Sequence, residues 1–283
     1  MASSKPVIII ASGGWHVPVS YSKLTNALEA DGFEVRVPPL PSMSGGCSKD
    51  LDDDTECIRS VAEKLVYSGR SVIAMGHSYG GQVISNALYG LGKKTRSEKN
   101  LEGGVTDLIY LTALALPENW SMINQVFAMG HGMYMKVAYE YHDDGTIVDR
   151  NPRPRFVAEC EDDDEAQSYL NTLVSWGSRP LYMPILHAAW REIPVTYVHG
   201  TLDNTVPLAY QTDMVARLRA EGAQVKTAAL EAGHCANFTR PKEVAEIVKR
   251  VANGTLEDDG TSSKKDDLAG QMEENKKIWK DQD

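Results

Sequence analysis

Short apolar runs alternate with amphipathic segments along most of the chain. The runs have the length of strands, and they predict strands over Pro6–Ala11, Phe33–Val37, Ser71–Met75, Asp107–Thr112, Val195–His199 and Gln224–Leu230. Apolar residues at helical spacing predict helices over Tyr21–Ala30, Asp50–Tyr67, Gln82–Leu88, Leu208–Ala220 and Pro241–Val251. Strands that alternate with helices are typical of a parallel sheet covered on both faces. We therefore expect an α/β fold.

One block of the chain, residues 117–193, breaks this alternation and is rich in Met, Tyr and Trp. We interpret it as a lid inserted over the carboxyl edge of the sheet, and a structural flap without substrate contact is the alternative. The sheet-forming core then comprises residues 1–116 and 194–253. Residues 254–283 are polar and contain few apolar groups that could order them, so we expect a mostly disordered tail.

Composition and charge exclude several classes of protein. The 283 residues are 42% hydrophobic and 24% charged, with a formal net charge of −10, which argues against nucleic acids and anionic membranes as partners. The first apolar run is too short for a signal peptide, and no run approaches the length of a membrane span. We expect a cytoplasmic protein. Four cysteines lack the spacing of a zinc site, so we expect no metal.

The strongest chemical signal is the pentapeptide Gly76-His77-Ser78-Tyr79-Gly80, which lies between an apolar strand and a helix. A G-x-S-x-G sequence in that context predicts a nucleophile elbow, a sharp turn that exposes the serine hydroxyl at the edge of a sheet. The helix that follows points its N-terminal N–H groups at the serine, where negative charge develops during acyl transfer. Ser78 is therefore the candidate nucleophile.

A serine needs a general base, and that base needs a carboxylate to hold it. Asp203 follows a predicted strand and His234 follows the next one, so both are expected at the carboxyl edge of the sheet. The chain order of serine, acid and histidine is the order expected for this kind of fold. Cys235 is a rival nucleophile, although a buried free cysteine usually behaves as a small apolar residue.

Stabilising the oxyanion requires backbone N–H groups near the nucleophile. One is expected from Tyr79, and the other from the loop after the first strand, at Gly14 or Trp15. Candidate substrate contacts come from this loop and from the insertion; they are His16, Trp120, Phe127, Met133, Trp176 and Tyr182.

At these residues the chain resembles the α/β-hydrolase superfamily. More narrowly, it is similar to the branch that includes plant methylesterases, hydroxynitrile lyases and fungal proteins of salicylate-esterase type. The resemblance is carried by residues 13–18, 76–81, 103–111, 202–203 and 233–234, and it implies Ser78 as nucleophile, Asp203 as acid and His234 as base. Cys235 stands where hydroxynitrile lyases of this branch have a lysine, so cyanohydrin cleavage is not expected.

These observations lead to one hypothesis and two alternatives. The hypothesis is a cofactor-free serine hydrolase that cleaves a carboxylic ester or lactone of a small apolar or aromatic molecule, with an acyl-enzyme intermediate. The same triad can also serve carbon–carbon bond cleavage or a non-hydrolytic step in biosynthesis. The third option is a small-molecule receptor on this fold, since fold alone does not establish activity. A homodimer is common in this branch, yet no segment of the sequence requires one.

Overall fold

The computed structural model describes residues 5–44 and 48–261, so Cys47 and the tail beyond residue 261 lie outside the described residues. Nine strands occur in this part of the chain. They are β1 (Val7–Ala11), β2 (Glu34–Arg36), β3 (Ser71–His77), β4 (Gly104–Leu111), β5 (Tyr139–Tyr141), β6 (Thr146–Asp149), β7 (Trp176–Gly177), β8 (Val195–Gly200) and β9 (Val225–Leu230). The six strands predicted from the sequence are all present, with ends that differ by up to three residues.

The six predicted strands form one parallel sheet in the order β2-β1-β3-β4-β8-β9. The two faces of this sheet are separated by the alternation of side chains along each strand. On β1, Ile8 and Ile10 pack into the apolar cluster on one face, and Ile9 and Ala11 pack into the cluster on the other. The expected α/β fold with a parallel sheet is confirmed.

Eleven α-helices occur among the described residues. They are α1 (Ser22–Ala30), α2 (Leu51–Tyr67), α3 (Gly80–Ala87), α4 (Lys93–Ser97), α5 (Met122–Ala128), α6 (Met135–Ala138), α7 (Pro152–Phe156), α8 (Asp163–Leu170), α9 (Leu208–Ala220), α10 (Ala236–Thr239) and α11 (Pro241–Ala252). Helices α1 and α11 contribute to the cluster on one face of the sheet, and α2, α3 and α9 to the cluster on the other. The short helix α4 is polar and gave no apolar periodicity from which to predict it. No helix among residues 5–44 and 48–261 has the length and apolar character that a membrane span requires.

The insertion at residues 117–193 contains helices α5 to α8 and a small antiparallel sheet of order β5-β6-β7. Its large buried side chains, Phe156, Trp176 and Trp190, belong to the same apolar cluster as the α2 and α3 face of the main sheet. The insertion therefore shares a core with the sheet domain. It contacts the loops at the carboxyl ends of β1, β3 and β9 through residues described below.

The expectation of a disordered tail from residue 254 is wrong for residues 254–261. Leu256 is buried, and the carboxylates of Asp258 and Asp259 accept hydrogen bonds from the N–H groups of Thr227 (2.9 Å) and Ala229 (2.7 Å). Strand β9 is an edge of the sheet, and its outward N–H groups need acceptors. The two aspartates that made the segment look disordered supply those acceptors.

Candidate active site

Ser78 lies in a strained turn between β3 and α3. Its φ angle is 53°, in the left-handed region that non-glycine residues seldom adopt, and its N–H donates to the Leu111 carbonyl at 3.2 Å. The glycines on either side are required by space. A Cβ at Gly80 would lie 2.0 Å from the Ala11 carbonyl oxygen, and one at Gly76 would lie 2.5 Å from the Gly80 carbonyl oxygen. The pentapeptide thus forms the predicted elbow, with an N-terminal helix end directly behind the serine.

Asp203 and His234 form a buried hydrogen-bonded pair. The Nδ1–H group of His234 donates to Asp203 Oδ2 at 2.9 Å, and the two side chains are at most 1% exposed. The other oxygen, Oδ1, accepts from the N–H groups of Thr205 (2.7 Å) and Val206 (2.9 Å). With Nδ1 carrying the proton, Nε2 of neutral His234 has the lone pair that a general base needs.

A chain of hydrogen bonds joins the loops after β1, β3 and β9. The Gly13 N–H donates to the Tyr21 hydroxyl (2.8 Å), which donates to Nδ1 of His77 (2.8 Å), and Nε2–H of His77 donates to the His234 carbonyl (3.0 Å). The Thr112 hydroxyl donates to the same carbonyl at 2.8 Å. Burial holds the pKa of His77 well below its usual 6.5, so this ring is neutral. His77 therefore anchors the His234 loop and is not itself the base.

The N–H groups expected to bind an oxyanion are available. Among the hydrogen bonds of the described residues, none uses the amide N–H of Gly14, Trp15 or Tyr79. Trp15 has a φ angle of 64°, a second strained non-glycine residue at the edge of the sheet. The ring of Trp176 packs against both Gly14 and Tyr79. A Cβ at Gly14 would lie 2.7 Å from this ring, and the ring centroids of Trp176 and Tyr79 are 4.8 Å apart.

A buried carboxylate, which the sequence analysis missed, supports this arrangement. Asp54 of α2 is fully buried and accepts hydrogen bonds from the Tyr79 hydroxyl (2.7 Å) and from the N–H (2.9 Å) and hydroxyl (2.5 Å) of Ser42. The Ser42 hydroxyl in turn accepts from the indole N–H of Trp176 at 3.1 Å. Burial raises the pKa of Asp54. Tyr79, which supplies one expected oxyanion donor, is thus fixed by its side chain to helix α2.

His16 is buried beside the candidate base. Its Nδ1–H donates to the Gly14 carbonyl at 2.6 Å, and its Nε2 lies 3.5 Å from Sγ of Cys235. Burial lowers the pKa of His16 to about 3 and raises that of the Cys235 thiol well above its usual value. Both groups are therefore neutral, and Cys235 is a buried thiol rather than a thiolate, which makes it a poor rival to Ser78.

The other candidate substrate contacts differ in their burial. Trp176 is fully buried against Gly14 and Tyr79, as described above. Phe127, Met133 and Tyr182 are 64%, 85% and 50% exposed, on the outer surface of the insertion. Trp120 is half-buried beneath the guanidinium of Arg217, which lies 4.3 Å from its ring centroid. Contact of these four residues with a substrate stays a prediction, because none of their described interactions involves the triad.

Little of the candidate site is exposed to solvent. Ser78 is 6% exposed. A small cavity of about 30 Å³ lies beside the loop that carries Asp203, which we call the acid loop, and it has room for one or two water molecules. Its wall is lined by Val126, His131, Met135, Ala138, Tyr139, Arg155, Thr205 and Tyr210. Among the described residues, no three His, Cys, Asp or Glu side chains are grouped so that they could hold a metal ion.

Comparisons with known proteins agree with this geometry. The model of the alpha/beta hydrolase family matches residues 8–247. The chain is 30% identical over 260 residues to alpha/beta hydrolase nvfD of Aspergillus novofumigatus, covering 89% of this chain and 99% of that protein. Similar solved structures include a pyrethroid hydrolase from Sphingobium faniae (TM-score 0.66, 20% identity, 88% and 98% of the two chains) and methylesterase MES16 from Arabidopsis (TM-score 0.66, 18% identity, 88% and 99%). The family match and the shared fold confirm the resemblance drawn from the sequence: this chain belongs to the alpha/beta hydrolase family.

Proposed function

We propose that the protein is a serine hydrolase that cleaves a carboxylic ester or lactone of a small apolar or aromatic molecule. The observation that carries this proposal is that Ser78, Asp203 and His234 lie in loops at the same carboxyl edge of the sheet. Ser78 occupies a strained elbow with φ 53°, and the buried Asp203–His234 pair is tied through His77 to the strand that carries it. Strain retained at such a position is typical of a functional site.

The proposed reaction has two half-reactions. Ser78 Oγ attacks the ester carbonyl carbon while His234 Nε2 takes the hydroxyl proton, and the amides of Tyr79 and Gly14 or Trp15 stabilise the oxyanion. The carbon–oxygen bond to the leaving alcohol breaks, and His234 returns the proton to that alcohol. His234 then takes a proton from water as its oxygen attacks the acyl carbonyl carbon. The bond between that carbon and Ser78 Oγ breaks, His234 returns the proton to Ser78 Oγ, and the carboxylic acid is released. These steps use side chains and backbone amides of this chain, together with water.

The apolar character of the expected substrate rests on what surrounds the triad. Trp15, in the loop after β1, forms an aromatic cluster with Phe156 and Trp176, whose ring centroids lie 5.8 Å and 5.0 Å from its own. The cavity beside the acid loop is also lined mainly by aromatic, Met and aliphatic side chains. Such walls suit an apolar or aromatic group. The names of the related proteins, a pyrethroid hydrolase and a methylesterase among them, are compatible with ester cleavage.

Product analysis in ¹⁸O-labelled water tests the reaction type. A panel of small aromatic and aliphatic esters and lactones is incubated with the protein, and the acids are analysed by mass spectrometry. We expect one solvent oxygen in each acid formed, with no incorporation in the Ser78→Ala variant. A product that lacks solvent oxygen would instead identify cyclisation or elimination, and ligand binding without turnover would identify a receptor.

A further inference from the structure

A short stretch of the insertion is hydrogen-bonded to the residues that flank both members of the acid–base pair. We call residues 154–159 the strap; it begins within α7 and continues past its end. On the acid loop, the Asn204 amide donates to the Pro154 carbonyl at 3.0 Å, and the Thr205 hydroxyl donates to the Arg155 carbonyl at 2.8 Å. The two residues that directly follow Asp203 are therefore fixed to the strap.

The same strap holds the histidine loop on both sides of His234. The Cys235 N–H donates to the Phe156 carbonyl at 3.1 Å, and the Gly233 N–H donates to Glu159 Oε1 at 2.7 Å. The Phe156 ring also lies over the His234 ring, with centroids 5.8 Å apart and planes 29° from parallel. Gly233 and Cys235, which directly precede and follow His234, are thus both hydrogen-bonded to the strap.

Glu159 makes the most specific of these contacts. Its Oε1 accepts both the Gly233 N–H and the Thr239 hydroxyl, each at 2.7 Å, so one oxygen joins the start of the histidine loop to the end of α10. A Cβ at Gly233 would lie 2.4 Å from Glu159 Oε2, which shows how closely the carboxylate approaches the loop. Glutamate at this position gives the loop a charged acceptor, and hydrogen bonds to ionised acceptors are stronger than those between neutral groups.

A buried ion pair fixes the strap within the insertion. The guanidinium of Arg155 forms an ion pair with Asp149 of β6, with a nitrogen–oxygen distance of 2.8 Å, and both side chains are at most 3% exposed. The guanidinium carbon also lies 5.1 Å from the centroid of the Tyr139 ring. A buried pair of this kind contributes little net stability and is often neutral when replaced by apolar residues. The position of the Arg155–Asp149 pair, between the strap and β6, supports a role as a rigid attachment for the strap.

We infer that the strap is a positioning element for the acid–base pair and that Glu159 is its principal positioning residue. This inference rests on the proposed function, because it assigns the strap to the proposed base and its carboxylate. Both loops depend on a segment of the insertion, so the segment that covers the site also sets the alignment of Asp203 with His234. A displacement of about 1 Å in such a group costs on the order of a hundredfold in rate.

The test compares Glu159→Ala with Glu159→Gln, and Glu118→Ala is the matched control. Glu118 belongs to the same insertion but pairs with Arg191 on its surface. We expect Glu159→Ala to lower kcat by about ten- to hundredfold with KM changed less than about threefold. Glu159→Gln retains an acceptor oxygen and should remain within about fivefold of the unmodified protein. The control should match the unmodified protein.

A second readout does not depend on catalysis. Proton NMR observes the downfield Nδ1–H resonance of His234, assigned by its loss in His234→Ala. Glu159→Ala should broaden this resonance and speed its exchange with water, while thermal unfolding shows that the fold persists. An unchanged kcat or an unchanged resonance in Glu159→Ala overturns the inference. If the unmodified protein hydrolyses no ester, the proposed function fails and the resonance alone decides the role of the strap.

If Glu159→Ala does not fold, Thr205→Val decides the question. Valine has nearly the shape of threonine but cannot donate to the Arg155 carbonyl. We expect kcat to fall by about fivefold with KM unchanged and the His234 resonance to broaden. The inference is wrong if Thr205→Val leaves both kcat and the resonance unchanged.

Discussion

The parallel sheet and the insertion contribute to the site in different ways. Ser78, Asp203 and His234 all lie in loops at the carboxyl ends of sheet strands. The insertion supplies Trp176, which packs against Gly14, and the strap, which is hydrogen-bonded to the loops that carry Asp203 and His234. The proposed reactive groups therefore belong to one region, and many of the contacts proposed to align them come from the other. Substitutions in the two regions should therefore impair the protein in different ways.

The largest expected effect comes from the sheet loops. Ser78→Ala and His234→Ala should each lower kcat on the order of a thousandfold or more, because each removes a group that acts directly on the substrate. Thermal unfolding and circular dichroism should show an intact fold. Because the triad acts as a unit, the double variant should lose little more than either single variant. Independent, multiplicative losses would contradict a shared mechanism.

The next largest loss of kcat is expected at the contact between the insertion and the loop after β1. Gly14→Ala should lower kcat by about ten- to hundredfold, since its Cβ would lie 2.7 Å from the Trp176 ring and the loop with its N–H donors must shift. Steady-state kinetics on the ester panel measures the loss.

A double-mutant cycle identifies the cause of that loss. Trp176→Phe replaces the indole with a smaller ring, so the variant with both substitutions should recover part of the kcat lost in Gly14→Ala. If the two substitutions are simply additive, the contact between insertion and loop does not explain the effect.

The smallest expected effect on turnover comes from the support beneath the elbow. Asp54→Asn leaves donors of Ser42 and Tyr79 poorly paired and should lower the free energy of unfolding by about 1–3 kcal/mol, with a smaller effect on kcat than Gly14→Ala. Urea unfolding at several pH values measures this difference.

The pH dependence of that difference has a definite sign. The pKa of Asp54 is raised above its ordinary 3.8 in the folded protein, so the folded state binds this proton more tightly than the unfolded state. The stability due to protonated Asp54 is complete below the ordinary pKa and is lost as the pH rises through the raised one. The advantage of the unmodified protein over Asp54→Asn should therefore shrink with rising pH. A difference that is constant from pH 4 to pH 8 would show that Asp54 does not titrate in this range.

The sheet was predictable from the sequence because its signals are local. Strand β1 is a short apolar run, and the pentapeptide at Ser78 carries its own strand, turn and helix context. The positions of Asp203 and His234 follow from the rule that parallel strands end at a common edge. The pairing of the two at 2.9 Å follows once both loops are at that edge.

The hydrogen bonds that support the site were harder to predict from the sequence, although the apolar pattern of α2 gave one indication. Asp54 lies on the apolar stripe of α2, three residues after Leu51 and four before Ile58, so a buried acid could have been suspected. Its partner Tyr79 is 25 residues away and could not be read from that stripe.

The insertion depends on contacts between distant residues, which local patterns do not encode. The indole N–H of Trp15, for example, donates to the Ile147 carbonyl, 132 residues further along. The composition of the insertion gave no reason to prefer one of Phe127, Met133 and Trp176 over the others as part of a pocket wall. The structure buries Trp176 against Gly14 and leaves the other two on the surface. Similarly, the bond between Glu159 and Gly233 joins residues 74 positions apart.

The central claim is that Ser78 is an activated nucleophile, and labelling with a fluorophosphonate probe tests it most directly. The adduct is located by mass spectrometry of the digested protein, with Ser78→Ala as the control. We expect a single adduct on Ser78 that is absent from the variant and that forms far more slowly in His234→Ala. An unlabelled Ser78 in folded protein, or labelling that persists in Ser78→Ala, would contradict it.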